Sequence, residues 1–388
     1  MVADEPRTDP VLGRYPYEQL GELRELAAKL PGGMVDLSVG SPVDPAPPGV
    51  RASLAEATGV EPYPASAGSV QFRSAAAAWM ERRFGVRIDP AVVAASIGTK
   101  ELIAGLPGML ALSGWLRPRR VERDTVLYPE ISYPTYAVGA LLAGMRAVPV
   151  AADERGGLDV STISDEDAAR AVVLWINSPA NPTGALTDLE ACARWGRERG
   201  VLVASDECYV ELTWEGRPET ILEQGMEGVV AVHSVSKRSS AAGLRAGFYA
   251  GDPSLVRSLS ELRKHAGLMV PGPVQGAAAA ALAAHEHAAA QREIYRARLV
   301  RLCRVFDSIG LSADLPAGGF YLWPAVPDHI EDAWALARLL AEDLGVVVSP
   351  GTFYGEQENR HVRVAATQPD SLIGLLEQRV AQRSAGRG

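Results

Sequence analysis

The sequence predicts an α/β protein, with a doubly wound, mostly parallel sheet in a large domain and a smaller α+β domain beside it. Short, nearly continuous apolar runs recur through the middle of the chain, each bounded by Gly, Pro or Asp. Amphipathic helical patterns separate them, the alternation expected of a parallel sheet covered on both faces. After Gly276 the texture changes to alanine-rich helical stretches and brief strand patterns.

In chain order, "YEQLGELRELAAKL" (17–30) reads as a helix belonging to the smaller domain, and the Pro-rich "GSPVDPAPPG" (40–49) as a rigid connection. Strands follow at "AVVAASIG" (91–98), "TVLYP" (125–129), "AVPVAA" (147–152), "AVVLWINSP" (171–179), "VLVASDE" (201–207) and "GVVAVHSVS" (228–236). "DLEACARWGRERG" (188–200) is a helix that starts on an acid and stops on a glycine. One long helix is expected over 274–309, a hairpin at "GLSADLPAGGFYLWPAV" and a helix over 331–344. "GVVVSPGTFYG" and a strand at "HVRVAAT" follow. These readings place the large domain at 36–275 and the smaller one at 1–35 with 276–388, sizes that suit a chain of 388 residues.

Composition narrows the function. With 38 basic and 47 acidic side chains the net charge is −9, which argues against nucleic acid as a partner. The densest basic stretch, "WLRPRRVER" (115–123), is interrupted by proline and glutamate and reads as a solvated loop. Cys192, Cys208 and Cys303 are scattered and odd in number, which fits a reducing cytoplasm rather than a disulfide framework. No secretory pattern opens the chain, and the apolar run 276–284 is too short to span a bilayer, so no membrane is expected. "HEH" (285–287) lacks the spacing of a helical zinc motif, so no metal is expected. The polar ends, "MVADEPRTDP" and "AQRSAGRG", are expected to fray.

In open α/β sheets ligands sit beyond the carboxyl ends of the strands. "SIGTKE", "INSPANPTG", "SDECY" and "HSVSK" all fall at such ends. Lys237 is either an exposed loop lysine or a Schiff-base former, which must be neutral and so needs partial burial and a cationic neighbour such as Arg245. Asp206 ends an apolar strand, where a carboxylate needs a partner: a protonated pyridine nitrogen, or simply the following backbone as a cap. Gly98, Thr99 and Lys100 open a helix, either as a simple cap or as an anion cradle that Ser234, Ser236 and Arg245 would complete around one phosphate. Asn181 and Tyr209 could together hydrogen-bond a phenolate oxygen. Arg363 stands between two valines of "HVRVAAT", placed either for a substrate carboxylate or for a surface ion pair.

"SPANPTG", "SDECY", "SVSK" with Arg245 eight residues on, and "HVRVA" together resemble the fold-type I pyridoxal-phosphate enzymes of the class I/II aminotransferase family, over essentially the whole chain. "LPGGMVDLSVGSPVDP", "YPASAG", "GTKELIAGLPGML" and "PGTFYG" are similar in wording to N-succinyldiaminopimelate aminotransferases. The resemblance implies pyridoxal 5'-phosphate as cofactor, bonded to Lys237, with Asp206 on its ring nitrogen and Asn181 and Tyr209 on its ring hydroxyl. It implies Gly98, Thr99, Lys100 (through backbone amides), Ser234, Ser236 and Arg245 around the phosphate, and Tyr133 stacked on the ring. Arg363 would grip the substrate α-carboxylate and Gly40 would line the substrate site. Tyr63 would reach the phosphate of a neighbouring subunit, implying a homodimer with shared active sites. The expected reaction is amino transfer between N-succinyl-L,L-diaminopimelate, or a related amino acid, and 2-oxoglutarate. Where the family pattern reads "SNLAGYR", this chain has "SSAAGLR", with Ser240, Ala241 and Leu244, so a reshaped substrate pocket is expected. Elimination, γ-replacement or carbon–carbon bond formation on an S-adenosylmethionine-like substrate would use the same residues and stays open here.

Overall fold

The computed structural model describes residues 15–56, 62–113 and 123–385. The amino-terminal stretch expected to fray, most of the basic stretch 115–123 and the last three residues lie outside them. Strand β1 is Val35–Asp36. The central sheet has seven strands: β2 (Val93–Ser96), β3 (Thr125–Pro129), β4 (Arg146–Val150), β5 (Ala171–Asn177), β6 (Leu202–Asp206), β7 (Val229–Ser234) and β8 (Gly247–Gly251). Beyond it come β9 (Tyr321–Leu322), β10 (Val346–Val347), β11 (Ser349–Pro350) and β12 (Val362–Ala365).

The central order is β2-β8-β7-β6-β5-β3-β4. β8 alone runs antiparallel to its neighbours β2 and β7; the other pairs are parallel. The apolar runs are continuous because both faces are covered. Leu174 and Ile176 pack into one core, Val173 and Trp175 into the other, as the two-residue period of a strand requires. The helix Leu189–Arg199 starts on Asp188, whose carboxylate accepts from the Ala191 amide, and ends on Gly200 in the left-handed region. A third core joins the helices Gly21–Ala28 and Ala333–Leu344 with residues from β1, β9, β10 and β12.

Three expectations are corrected. β8 is a strand that the sequence pattern does not announce: "GFYAG" has a glycine at each end and too little apolar length. The expected single helix over 274–309 is two, Gly272–Ala283 and His285–Ser308, because Ala284 (φ −81°, ψ 69°) leaves the helical region. The expected hairpin does not close on itself, since β9 pairs antiparallel with β12.

Candidate active site

A cavity of 400 Å³ opens at the carboxyl ends of the central strands. β6 delivers Asp206, β5 leads into Asn177 and Asn181, β7 hands over to the short helix Val235–Arg238 carrying Lys237, and Thr99 opens the helix Thr99–Leu112. Every site residue expected from the sequence lines this cavity except Gly98 and Tyr63. Gly98 sits directly behind its wall. At φ 71°, a Cβ there would overlap the Arg245 guanidinium, so glycine lets that cation lie over the helix start. Tyr63 is 93% exposed and takes no part in its own chain's cavity.

Burial sets the protonation of the central groups. Lys237 Nζ donates to the Gly40 carbonyl. Its pKa is lowered to about 8, first by burial, with Arg363 and Arg245 adding to the effect against Cys208 and Asp206. Asp206 is 5% exposed and burial pushes its carboxyl up, although the Cys208 amide (3.2 Å) and the Tyr136 hydroxyl (2.9 Å) donate to it. Arg363 is buried rather than at a surface. It donates to Asn181 Oδ1 (2.9 Å), Tyr17 Oη (2.9 Å) and the Ser38 carbonyl (2.6 Å). Its guanidinium lies 4.1 Å from the Tyr321 ring centroid and 4.7 Å from that of Tyr354. These partners are all neutral, and a buried cation among neutral groups suits an anionic ligand.

The remaining wall holds more donors. Ser234 Oγ caps the helix carrying Lys237, accepting from the Ser236 amide (3.0 Å) and meeting Ser236 Oγ at 2.8 Å. Lys100 Nζ donates to Tyr15 Oη (3.2 Å) and lies 5.8 Å from the Tyr133 centroid. Burial pulls its pKa down, but the phenols of Tyr133 and Tyr15 outweigh it and hold the ammonium above the ordinary value. Tyr209 Oη meets Tyr321 Oη at 3.0 Å.

A profile of the class I and II aminotransferases matches residues 32–377. The chain belongs to that family. It is 40% identical over 378 residues to the 4-dedimethylamino-4-oxo-anhydrotetracycline transaminase OxyQ of Streptomyces rimosus, covering 95% of this chain and 99% of that one. It is 42% identical over 377 residues to a probable aminotransferase of Mycobacterium tuberculosis, covering 94% of this chain and 84% of that one. Among solved structures, a probable N-succinyldiaminopimelate aminotransferase of Thermus thermophilus matches with a TM-score of 0.81 at 28% identity. That match covers 95% of this chain and 100% of the other.

As a class I and II aminotransferase the chain is a pyridoxal-phosphate-dependent enzyme acting on amino acids and keto acids. The donor set fits that cofactor. A helix start, two serines and Arg245 can hold a phosphate, and the buried Asp206 can pair with a protonated ring nitrogen.

The aminotransferase cavity also corrects the sequence reading. Ser240, Ala241 and Leu244 do not line it; of that loop only Ala242 and Arg245 do. Cys208 also lies in the cavity wall, with Sγ 3.3 Å from Thr99 Oγ1 and its thiol pushed well up by burial. Tyr321 is a wall residue as well, and Gly40 must be glycine because a Cβ would overlap the Tyr321 hydroxyl. Sequence reasoning misses Tyr15, Tyr17 and Asn177. Only Asn177 carries a signal, as the last polar residue of an apolar strand; the tyrosines arrive from a distant segment.

Proposed function

We propose that this aminotransferase takes an amino acid with a second anionic group, N-succinyl-L,L-diaminopimelate or a close relative, and passes its amino group to 2-oxoglutarate. The observation that carries the reading is a pair of cations, Arg363 and Lys100, facing the cavity of Lys237 with phenols and an amide rather than carboxylates around them. Arg363 would hold the α-carboxylate in a two-pronged contact and Lys100 the distal anion. The likeness to the Thermus thermophilus protein, named for a succinylated diaminopimelate, points the same way.

Within this reading the cofactor phosphate would be held by Thr99, Ser234, Ser236, Arg245 and the amides of Thr99 and Lys100, with Gly98 forming the turn beneath Arg245, and Tyr133 would cover the ring. Asn181 and Tyr209 bind the ring hydroxyl, and Gly40 borders the substrate. Bound pyridoxal phosphate supplies an aldehyde that condenses with amines and a ring that draws electron density from the carbon bearing the amine. Lys237 would hold that aldehyde through Nζ and, once freed by the substrate amine, Nζ would be the group that moves the substrate's Cα proton. Asp206 keeps the ring nitrogen protonated; a carboxylate whose charge is disfavoured by burial gains most from that cation.

We read 36–275 as the large domain and 1–35 with 276–388 as the small one, supported by a separate core built largely from residues 20–37 and 295–380; the helix Gly272–Ala283, which the boundary crosses, packs instead into the large domain's core. The exposed Tyr63 fits a homodimer in which it reaches the neighbouring copy's phosphate. Unpaired cysteines fit a cytoplasmic enzyme, and among the described residues no helix is long and apolar enough to cross a membrane.

The test is glutamate formation from 2-oxoglutarate by the purified holoenzyme with a panel of amino donors. N-succinyl-L,L-diaminopimelate should outperform monocarboxylic amino acids, and Lys100→Ala should remove that advantage by raising KM. A preference for monocarboxylic donors would end the reading. A second acceptor class, a ring ketone, is favoured by the likeness to OxyQ, a transaminase named for an oxo-anhydrotetracycline. Turnover of a polycyclic ketone with glutamate as donor would select it.

A further inference from the structure

Behind the cavity, Lys237 and the Asp206–Tyr209 segment are joined by an ion pair that lies outside the cofactor space and largely out of solvent. Arg238 follows Lys237 on the same four-residue helix and is 4% exposed. Its Nε lies 3.2 Å from Glu211 Oε1, and Glu211 sits on the 3-10 turn Val210–Leu212 that begins directly after Tyr209. Arg238 Nη1 also donates to the Ala281 carbonyl (2.5 Å) and Ser239 Oγ (2.9 Å). Glu211 is held in turn by the Trp79 indole (2.8 Å) and by Arg83 at 2.8 Å. Burial raises the carboxyl's pKa, but Arg238 and Arg83 outweigh it and keep Glu211 ionised. Neither Arg238 nor Glu211 lines the cavity.

We propose that the Arg238–Glu211 pair is a positioning brace that sets Lys237 against Asp206 and Tyr209. Lys237 stands on a helix of only four residues, whose own hydrogen bonds cannot fix its pitch. Asp206 and Tyr209 stand at the end of a different strand. Arg238 leaves the same helix as Lys237, so pulling it onto Glu211 fixes the rotation of the helix and with it the place of Nζ. A salt bridge kept only for stability could be exchanged for apolar groups with little loss; a brace could not, because displacing a proton-transfer group by about 1 Å costs on the order of 10²-fold in rate.

The inference rests on Lys237 being the residue that bonds the cofactor, and the experiment separates the two. In holoenzyme, Arg238→Met and Glu211→Gln should each shift the pH at which the visible absorbance of the bound cofactor titrates. Each should also lower kcat by about 10- to 100-fold with KM little changed. Arg238→Lys should recover part of both. Arg83→Met, which contacts the same carboxylate from a different helix, should leave the titration within error. Should one variant fail to fold, the other carries the test. Equal shifts from Arg83→Met and Arg238→Met would assign the effect to the charge on Glu211 and overturn the brace, as would a folded Arg238→Met with unaltered titration and kcat. If Lys237→Ala keeps the visible band, the underlying assignment of Lys237 fails instead.

Discussion

Along one wall of the cavity the side chains hang from the ends of neighbouring strands in one sheet: Asp206 from β6, Ser234 from the end of β7 with Lys237 just after it, Asn181 after β5. Along the other, Arg363 is enclosed by Tyr17, Tyr321 and Tyr354, with Tyr17 separated from it by 346 residues in sequence. The first wall needs only a parallel sheet with its strands in register, so its chemistry clusters wherever the strands stop. The second exists only when β9 has paired with β12 and the N-terminal segment has docked. Strand ends therefore announce themselves as motifs, while the aromatic enclosure is assembled from single residues with no pattern around them.

Two kinds of damage follow from that contrast. Lys237→Ala should abolish steady-state turnover, by about 10³-fold or more, together with the visible absorbance of the bound cofactor. Retained transamination in that variant would remove the strand-end wall from the chemistry. Asp206→Asn should cut kcat by roughly 10²-fold while substrate KM moves little, because the loss falls on charge stabilisation in the reaction. Arg363→Lys should act oppositely, raising KM for glutamate by about tenfold or more, since an ammonium cannot make the two-pronged contact. If Arg363→Lys lowered kcat alone, the two walls would not divide the work as described.

Smaller effects sharpen the picture. With the Lys237 pKa lowered to about 8, the amine is largely protonated below that pH and cannot attack an aldehyde. Rebinding of pyridoxal phosphate to the apoprotein, followed by absorbance, should accelerate as pH rises through about 8 and level off above it. Tyr136→Phe removes the phenol donating to Asp206 and should cost about 3- to 10-fold in kcat, the worth of one ordinary hydrogen bond. Ser240 has φ 47°, a region asparagine tolerates better than serine. Ser240→Asn should raise the denaturation midpoint by the equivalent of about 1 kcal/mol or less and leave activity alone.

Legibility followed the same division. The expected bounds of β3 match the structure to the residue, and the helix 189–199 is bounded correctly because Asp188 and Gly200 are physical start and stop signals. β8 escapes sequence reasoning because its glycines are there for close approach: a Cβ at Gly247 would stand 2.6 Å from the His233 carbonyl. The break at Ala284 escapes because an alanine run offers no cap to mark it. The "SSAAGLR" departure draws attention to residues that pack away from the cavity. Tyr321, a few dozen residues from any recognised motif, stands in the wall instead, its hydroxyl 3.0 Å from that of Tyr209.

By itself the sequence determined the parallel sheet and the placing of Lys237, Asp206 and Asn181 at its strand ends, because apolar period and strand boundaries are local properties. Only the tertiary structure decided how those groups are charged and what surrounds Arg363. Burial lowers Lys237 and raises Asp206 through the desolvation of a closed cavity, and phenols reach Arg363 only when distant segments are brought together. Both depend on contacts between residues far apart in the chain, which no local pattern records.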